Sequence, residues 1–150
     1  MVRSSNPLLP MTFSHSLCVL LELKEEESYA ETGTLARKHG IPPSYLAKML
    51  QILRRAGVLE SQRGPKGGFR LARAAHLIFL ADILAPFQPQ GTPDCLVQKG
   101  PCKFEDPCVL DLWWEETRVR MDHMLRTTTL RDLQLTKERR EQTKLHVPMT

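Results

Sequence analysis

Long hydrophobic runs are absent from this sequence of 150 residues. The two longest, Leu17–Leu21 and Leu77–Ala81, end at Glu22 and Asp82, whereas a helix that spans a bilayer needs roughly 20 apolar residues. The first residues also lack an apolar segment of secretory length. We therefore expect no membrane span, no signal peptide and a cytoplasmic location.

Motifs typical of enzymes are missing as well. The sequence has no phosphate-binding loop, no nucleophile elbow and no pair of carboxylates placed for acid–base catalysis, so an enzyme is not expected. With 41% hydrophobic and 25% charged residues, the chain has the composition of a soluble globular protein. Its length allows one domain with an appendage but not two full domains.

Acidic residues are scarce in one part of the chain. Between Thr34 and Arg73 there are nine basic residues and a single acid, Glu60, whereas the remainder carries 12 basic and 16 acidic residues. Such asymmetry is typical of a protein in which one subregion binds a polyanion. The alternative at this point is a solvated basic face on an ordinary domain.

The basic segment contains signals for two short helices joined by a turn. Thr32 or Thr34 is placed to cap a first helix, which Gly40 would end in a left-handed turn. A second helix is predicted to begin near Pro43, with Ser44 as its cap. Its apolar residues recur at spacings of three and four, namely Leu46, Met49, Leu50 and Leu53. The opposite face carries donors and no acid, namely Ser44, Lys48, Gln51 and Arg55. This pattern predicts a helix-turn-helix.

A hairpin is predicted directly after the second helix. Two strand-like segments within Val58–Leu71 flank a Gly-Pro-Lys-Gly-Gly tip. The glycines allow the backbone to approach a ligand closely, and Arg63, Lys66 and Arg70 are placed to lie beside phosphates. Alone, this segment indicates a plain hairpin as readily as a functional one. After a helix-turn-helix it predicts a DNA-binding wing.

These motifs resemble those of a known family. Tyr45–Leu46, Leu53–Glu60 and the wing Arg63–Leu71 are similar to the Rrf2 family of bacterial transcription regulators, and the similarity extends from about Met11 to Leu133. The resemblance implies a mainly α fold with a small β wing, in which a winged helix-turn-helix precedes a long C-terminal dimerisation helix. It also implies, for many members, a central loop that holds an iron–sulfur cluster.

Three of the four cysteines, Cys95, Cys102 and Cys108, lie within 14 residues. Five of the eleven prolines occur in Ala85–Pro107, which predicts an irregular loop. A disulfide is disfavoured in a reducing cytoplasm, and clustered thiolates suit zinc or iron–sulfur centres. Zinc sites usually contain a ligand pair two to four residues apart, whereas the spacers here are six and five residues long. An iron–sulfur cluster (2Fe-2S or 4Fe-4S) is favoured, with zinc or merely reactive or structural cysteines as alternatives.

Three thiolates leave one ligand position of a cluster unassigned. The resemblance implies that the fourth ligand comes either from the first helix of the partner subunit, near His15, or from a position shortly after the third cysteine, near Asp111. His15 is the first candidate, Asp111 the second, and Glu105 or Asp106 the third. Cys18 lies in an apolar run and is expected to be a buried core residue.

An amphipathic helix of about 18 residues is predicted after the loop. Its stripe comprises Leu110, Trp113, Trp114, Thr117, Met121, Met124 and Leu125. Because the small winged domain is too short to cover this stripe, we expect the helix to pack against its copy in a homodimer. The alternative is a core helix within one chain. A short helix is predicted at Thr129–Leu133.

The sequence thus predicts five segments: a disordered arm (1–10), a winged helix-turn-helix domain (11–84), a cluster loop (85–107), a dimerisation helix (108–135) and a disordered tail (136–150). The expected function is that of a repressor that binds a palindromic operator in double-stranded DNA. It would sense redox state, nitric oxide or iron–sulfur status through its cluster. The alternatives are a zinc-stabilised or apo regulator and a small iron–sulfur electron-transfer protein. Predicted DNA contacts are Ser44, Tyr45, Lys48, Gln51, Arg55, Arg63, Lys66 and Arg70.

Overall fold

The computed structural model describes residues 9–24, 28–88 and 108–145, apart from five side chains in the last two helices. The elements are α1 (Met11–Leu20), α2 (Thr32–His39), α3 (Pro43–Arg55), β1 (Leu59–Gln62), β2 (Gly68–Leu71), α4 (Leu80–Leu84), α5 (Val109–Thr127) and α6 (Leu130–Leu145). Short 3₁₀ turns at Ala75–Leu77 and Ala85–Phe87 flank α4. The mainly helical fold with a β wing is as predicted.

The core lies where α1, α3, α4 and the hairpin meet. The predicted stripe on α3 is confirmed, because Leu46, Met49, Leu50 and Leu53 are at most 2% exposed. The hairpin contributes Leu59, Phe69 and Leu71 to the same core. A helix with one buried stripe necessarily turns its other face outward, so this packing sets which side chains of α3 meet solvent.

The prediction of a buried Cys18 is wrong, since its side chain is exposed. The buried residues of α1 are Phe13, Ser16, Val19 and Leu20. A helix turns 100° per residue, so Cys18 lies on the side opposite to this stripe even though its neighbours are apolar. A continuous apolar run longer than one stripe must therefore leave some members at the surface.

The C-terminal helices extend further than predicted. α5 agrees with the predicted amphipathic helix, but α6 continues to Leu145, so the prediction of a disordered tail is wrong for residues 136–145. The start of α6 is a capping box, in which the Thr129 N–H donates to Asp132 Oδ2 at 2.8 Å and the Asp132 N–H donates to Thr129 Oγ1 at 3.3 Å. The charged residues that follow are mostly strong helix formers. Their charge indicates solvent exposure and not the absence of structure.

The junction between α5 and α6 is tied to the winged domain by backbone hydrogen bonds. The Leu80 N–H donates to the Thr128 carbonyl at 3.0 Å, and the Leu130 N–H donates to the Ile78 carbonyl at 2.8 Å. Leu130 and Ile78 are fully buried. The C-terminal end of α5 is therefore held in the core. Cys95, Cys102, Glu105 and Asp106, the predicted arm up to residue 8 and the tail beyond residue 145 lie outside the described residues.

Candidate nucleic-acid interface

A tight turn sets the angle between α2 and α3. Gly40 has φ +63°, and the Ile41 N–H donates to the Ala36 carbonyl at 3.0 Å, which is the Schellman pattern expected of a glycine at this position. α2 is preceded by Glu31 at the cap position, so neither Thr32 nor Thr34 caps it, contrary to the prediction. Thr34 instead donates its hydroxyl to the Glu31 carboxylate at 2.8 Å.

The outer face of α3 carries the predicted donors. Ser44, Lys48, Gln51 and Arg55 are all exposed. The cap prediction for Ser44 is wrong, because Pro42 occupies the cap position and Ser44 is the second residue of the helix. Neither Lys48 nor Arg55 has an acidic partner in the part of the chain that the structure describes. This face can therefore meet an anionic ligand without first breaking an ion pair.

Tyr45 lies at the edge of this face and is half-buried. Its ring packs edge-on against the ring of His15 in α1, with centroids 5.7 Å apart. Burial raises the pKa of the Tyr45 hydroxyl. The phenol therefore stays protonated near neutral pH and remains a hydrogen-bond donor.

The wing is an antiparallel pair with Leu59 opposite Leu71 and Gln62 opposite Gly68. It docks on the chain before α2 through a β-bridge between Ala30 and Phe69, whose N–H groups donate to each other's carbonyls at 2.9 Å. Because a Cβ on Gly68 would lie 2.1 Å from the Ala30 carbonyl oxygen, only glycine fits there. The prediction of a hairpin with a glycine-rich tip is confirmed.

Arg70 differs from the other predicted wing cations. It forms an ion pair with Glu60, the residue opposite it in the hairpin, and its guanidinium lies 4.6 Å from the centroid of the Tyr29 ring. The Arg70 hydrogen bond lowers the pKa of Glu60, and a hydrogen bond from the Tyr29 hydroxyl adds to this effect. Arg63 and Lys66 are exposed and have no such partner among the residues described. A phosphate contact by Arg70 would have to share its guanidinium with Glu60.

A polar cleft of about 450 Å³ separates α3 from the wing. Its lining brings Gln51 and Arg63, both predicted DNA contacts, together with Arg54 and the Thr32–Gly33 start of α2. Arg54 is not among the predicted DNA contacts, because on a helical projection it lies beside the predicted donor face and not within it. The signal that could have found it is its position three residues after Gln51, one turn along the helix.

The candidate metal ligands are only partly within the described chain. Cys108 is a free, half-exposed thiol at the residue before α5, and Nδ1 of His15 is buried without a hydrogen-bond partner. Thiolate and imidazole are both suitable ligands for an iron–sulfur centre. Across residues 9–24, 28–88 and 108–145, no three His, Cys, Asp or Glu side chains are grouped closely enough to hold a metal ion. The side chain of Asp111 is not described.

Fold and site together define a winged helix-turn-helix DNA-binding protein. The sequence matches the family model Rrf2, described as an iron-dependent transcriptional regulator, over residues 10–135. The chain therefore belongs to the Rrf2 family and is a transcription regulator of the helix-turn-helix type, not an enzyme. No helix among the described residues is long and apolar enough to cross a membrane.

Individual relatives agree with this assignment. A putative HTH-type transcriptional regulator of Aquifex aeolicus is 35% identical over 102 residues, which cover 66% of this chain and 71% of that protein. The regulator IscR of Vibrio campbellii is 29% identical over 111 residues, which cover 74% of this chain and 66% of its length. Among solved structures, CymR of B. subtilis, a global cysteine regulator, has a TM-score of 0.69 and 25% identity, with 91% of this chain and 98% of that chain covered.

Proposed function

We propose that the protein is a homodimeric repressor that binds a palindromic operator, with α3 in the major groove and the wing along the phosphate backbone. The observation that carries this proposal is a set of exposed basic side chains on α3 and the wing that have no acidic partner within the described residues, namely Lys48, Arg54, Arg55, Arg63 and Lys66. Cations that are already free of ion pairs release DNA counterions at little cost. Ser44 and Gln51 lie on the same outer face and are suited to base edges.

Selection of duplexes from a random pool by the full-length protein tests DNA recognition. We expect a palindromic consensus whose half-sites lie about one helical turn, roughly 34 Å, or a multiple of it apart. Affinity for the selected duplex should fall steeply with salt concentration. Recovery of no consensus would contradict the proposal.

The proposed dimer rests on the exposed edge of α5. Leu110 is 43% exposed, Trp113 58% and Met124 42%, whereas Met121 and Leu125 on the adjoining edge of the stripe pack on the core. The charged side of α5 is linked along the helix by pairs such as Arg118 with Glu115. A second copy of the stripe would cover the exposed apolar edge in a two-fold arrangement.

We further propose that Cys95, Cys102 and Cys108 hold an iron–sulfur cluster, with His15 as the fourth ligand. The family description as iron-dependent, the free thiol of Cys108 and the unpartnered Nδ1 of His15 support this assignment. When bound, a cluster supplies a redox-active centre whose state can change with iron supply, oxidants or nitric oxide. Cys108 immediately precedes α5, whose other end is anchored at Ile78 and Leu80. Movement at Cys108 would therefore be passed along a rigid helix towards the DNA-binding domain.

Replacement of Cys102 by alanine tests the ligand assignment. Anaerobically purified wild-type protein should contain iron and sulfide and absorb visible light, and Cys102→Ala should lose the colour. Cys18→Ala, which changes an exposed cysteine outside the loop, is the matched control and should keep it. Full colour in Cys102→Ala would contradict the assignment, and colourless wild-type protein with stoichiometric zinc would favour the zinc alternative.

A further inference from the structure

A shallow groove runs along the outer face of α3. It is lined by Ala47, Lys48, Gln51, Ile52 and Arg55, all from this one helix. The lining is largely apolar although three of the five residues are polar. Ala47 and Ile52 thus lie on the two sides of the face predicted to contact DNA, with Lys48, Gln51 and Arg55 between them.

Ala47 is the lining residue of the groove that lies closest to the start of the helix. It is the fifth residue of α3, and its side chain is only partly exposed. In helix-turn-helix proteins the N-terminal residues of the second helix contact base edges. Gln51 lies one turn further along, so a base edge that meets the Gln51 amide would also meet the Ala47 methyl group.

The chemistry of the groove indicates what would occupy it. The C5-methyl of thymine is the apolar group that base edges present in the major groove, and alanine is one of the side chains that contact it. Lys48 and Arg55 line the groove and carry positive charge that has no acidic partner within the described residues, which is complementary to DNA and not to an apolar protein surface. Charge and shape together favour a thymine-bearing duplex as the occupant.

We propose that Ala47 contacts a thymine methyl group and makes thymine the preferred base at one position of each half-site. The proposal rests on the DNA recognition described above and adds a base preference to it. Lys48 and Arg55 hold the helix against the backbone, and the small side chain of Ala47 allows the methyl group to approach.

Uracil differs from thymine only in lacking the C5-methyl group, so its substitution tests the methyl contact alone. Each thymine of the duplex selected by the full-length protein is replaced singly by deoxyuridine, and affinity is measured by fluorescence anisotropy at fixed salt. We expect one replacement per half-site to weaken wild-type binding about fourfold, the effect of one buried methyl group. In Ala47→Gly this penalty should fall below about twofold.

Ala56→Gly is the matched control, because Ala56 is an exposed alanine just beyond α3, and it should keep the fourfold penalty. Circular dichroism establishes that each variant folds. Should Ala47→Gly unfold, Ala47→Ser replaces it and should also reduce the penalty. Specific binding that is insensitive to every deoxyuridine, or a penalty that persists in the Ala47 variants, would overturn this proposal alone. Absence of any sequence-specific binding would overturn the proposed function and this inference with it.

Discussion

The basic residues of the winged domain fall into two groups according to their partners. Lys38 pairs with Glu22 at 2.8 Å, Arg73 pairs with Asp82 at 2.8 Å, and Arg70 pairs with Glu60. Lys48, Arg63 and Lys66 have no acidic partner among the described residues. Net charge along the sequence does not separate these groups, because the partners of Lys38 and Arg73 come from other elements.

Lys66→Ala should weaken DNA binding about equally for all sequences and reduce the slope of log affinity against log salt by about 1, because one phosphate contact is lost. Lys38→Ala removes the same charge from a lysine that faces Glu22, and it should leave the slope unchanged. Fluorescence anisotropy titrations at several salt concentrations measure the slope for both variants. An unaltered slope in Lys66→Ala would exclude the wing tip from the interface.

Replacement of Gly68 by alanine tests the close approach of the wing to the segment before α2. Its φ is +150° and a Cβ would lie 2.1 Å from the Ala30 carbonyl oxygen, whereas Gly64, with φ +110°, has nothing within 4 Å of the same position. Gly64→Ala should lower the free energy of unfolding by about 1–2 kcal/mol through backbone strain alone, and Gly68→Ala by about 3 kcal/mol or more. Urea unfolding measures the difference. Equal losses of unfolding free energy would show that the Ala30 backbone shifts to accommodate the added Cβ at little energetic cost.

At the scale of elements, Glu22, which lies just after α1, links α2 to α6. Its carboxylate lies 2.8 Å from Lys38 Nζ and 3.4 Å from His39 Nε2, both at the end of α2, and 3.8 Å from Lys137 Nζ in α6. Burial acts to raise the pKa of Glu22, but the Lys38 hydrogen bond and the neighbouring positive charges outweigh it, and the pKa is lowered. Folding therefore favours the ionised carboxylate.

A lowered carboxyl pKa stabilises the fold above the pKa of the unfolded chain, about 4.5, and this contribution is lost as the pH falls through the folded value. Glu22→Gln should consequently reduce the free energy of unfolding by about 1 kcal/mol at pH 7. The difference from wild type should shrink below about pH 4.5. Urea unfolding from pH 7 to 3.5 tests this, with the exposed Glu138→Gln as control. A constant difference down to pH 3.5 would contradict the argument.

Local patterns predicted α3 and the wing correctly, but they did not predict the length and docking of α6. α3 and the wing follow from apolar spacing, Gly40, Pro43 and the glycine-rich tip, all of which act over a few residues. The length of α6 was underestimated, because its charged second half bears no apolar stripe. Gln134 is 8% exposed, and its side-chain amide donates to the Leu23 carbonyl at 3.2 Å. These two residues are 111 positions apart in the sequence, so no local pattern predicts their contact.

For the whole molecule, the decisive question is what covers α5. Trp113→Lys should convert the dimer to monomer at micromolar concentration, because it places a charge in the proposed apolar interface. Val119→Lys is the matched control, since Val119 is 56% exposed against 58% for Trp113 but lies about 120° away around the helix. Sedimentation velocity measures the mass of each. A dimeric Trp113→Lys would assign the interface to another surface.

The local order of residues determined the helix-turn-helix, the wing and the amphipathic character of α5, because helix period, caps and turns depend on neighbours within a few positions. Tertiary structure alone decided that Cys18 is exposed, that Arg70 faces Glu60 and Tyr29, that Arg54 shares a cleft with Arg63, and that α6 docks on Leu23. The physical reason is that burial and charge pairing are set by the elements that pack against a residue. The partners lie 10 residues apart for Arg70 and Glu60 and 111 residues apart for Gln134 and Leu23, which is beyond the few positions over which local patterns act.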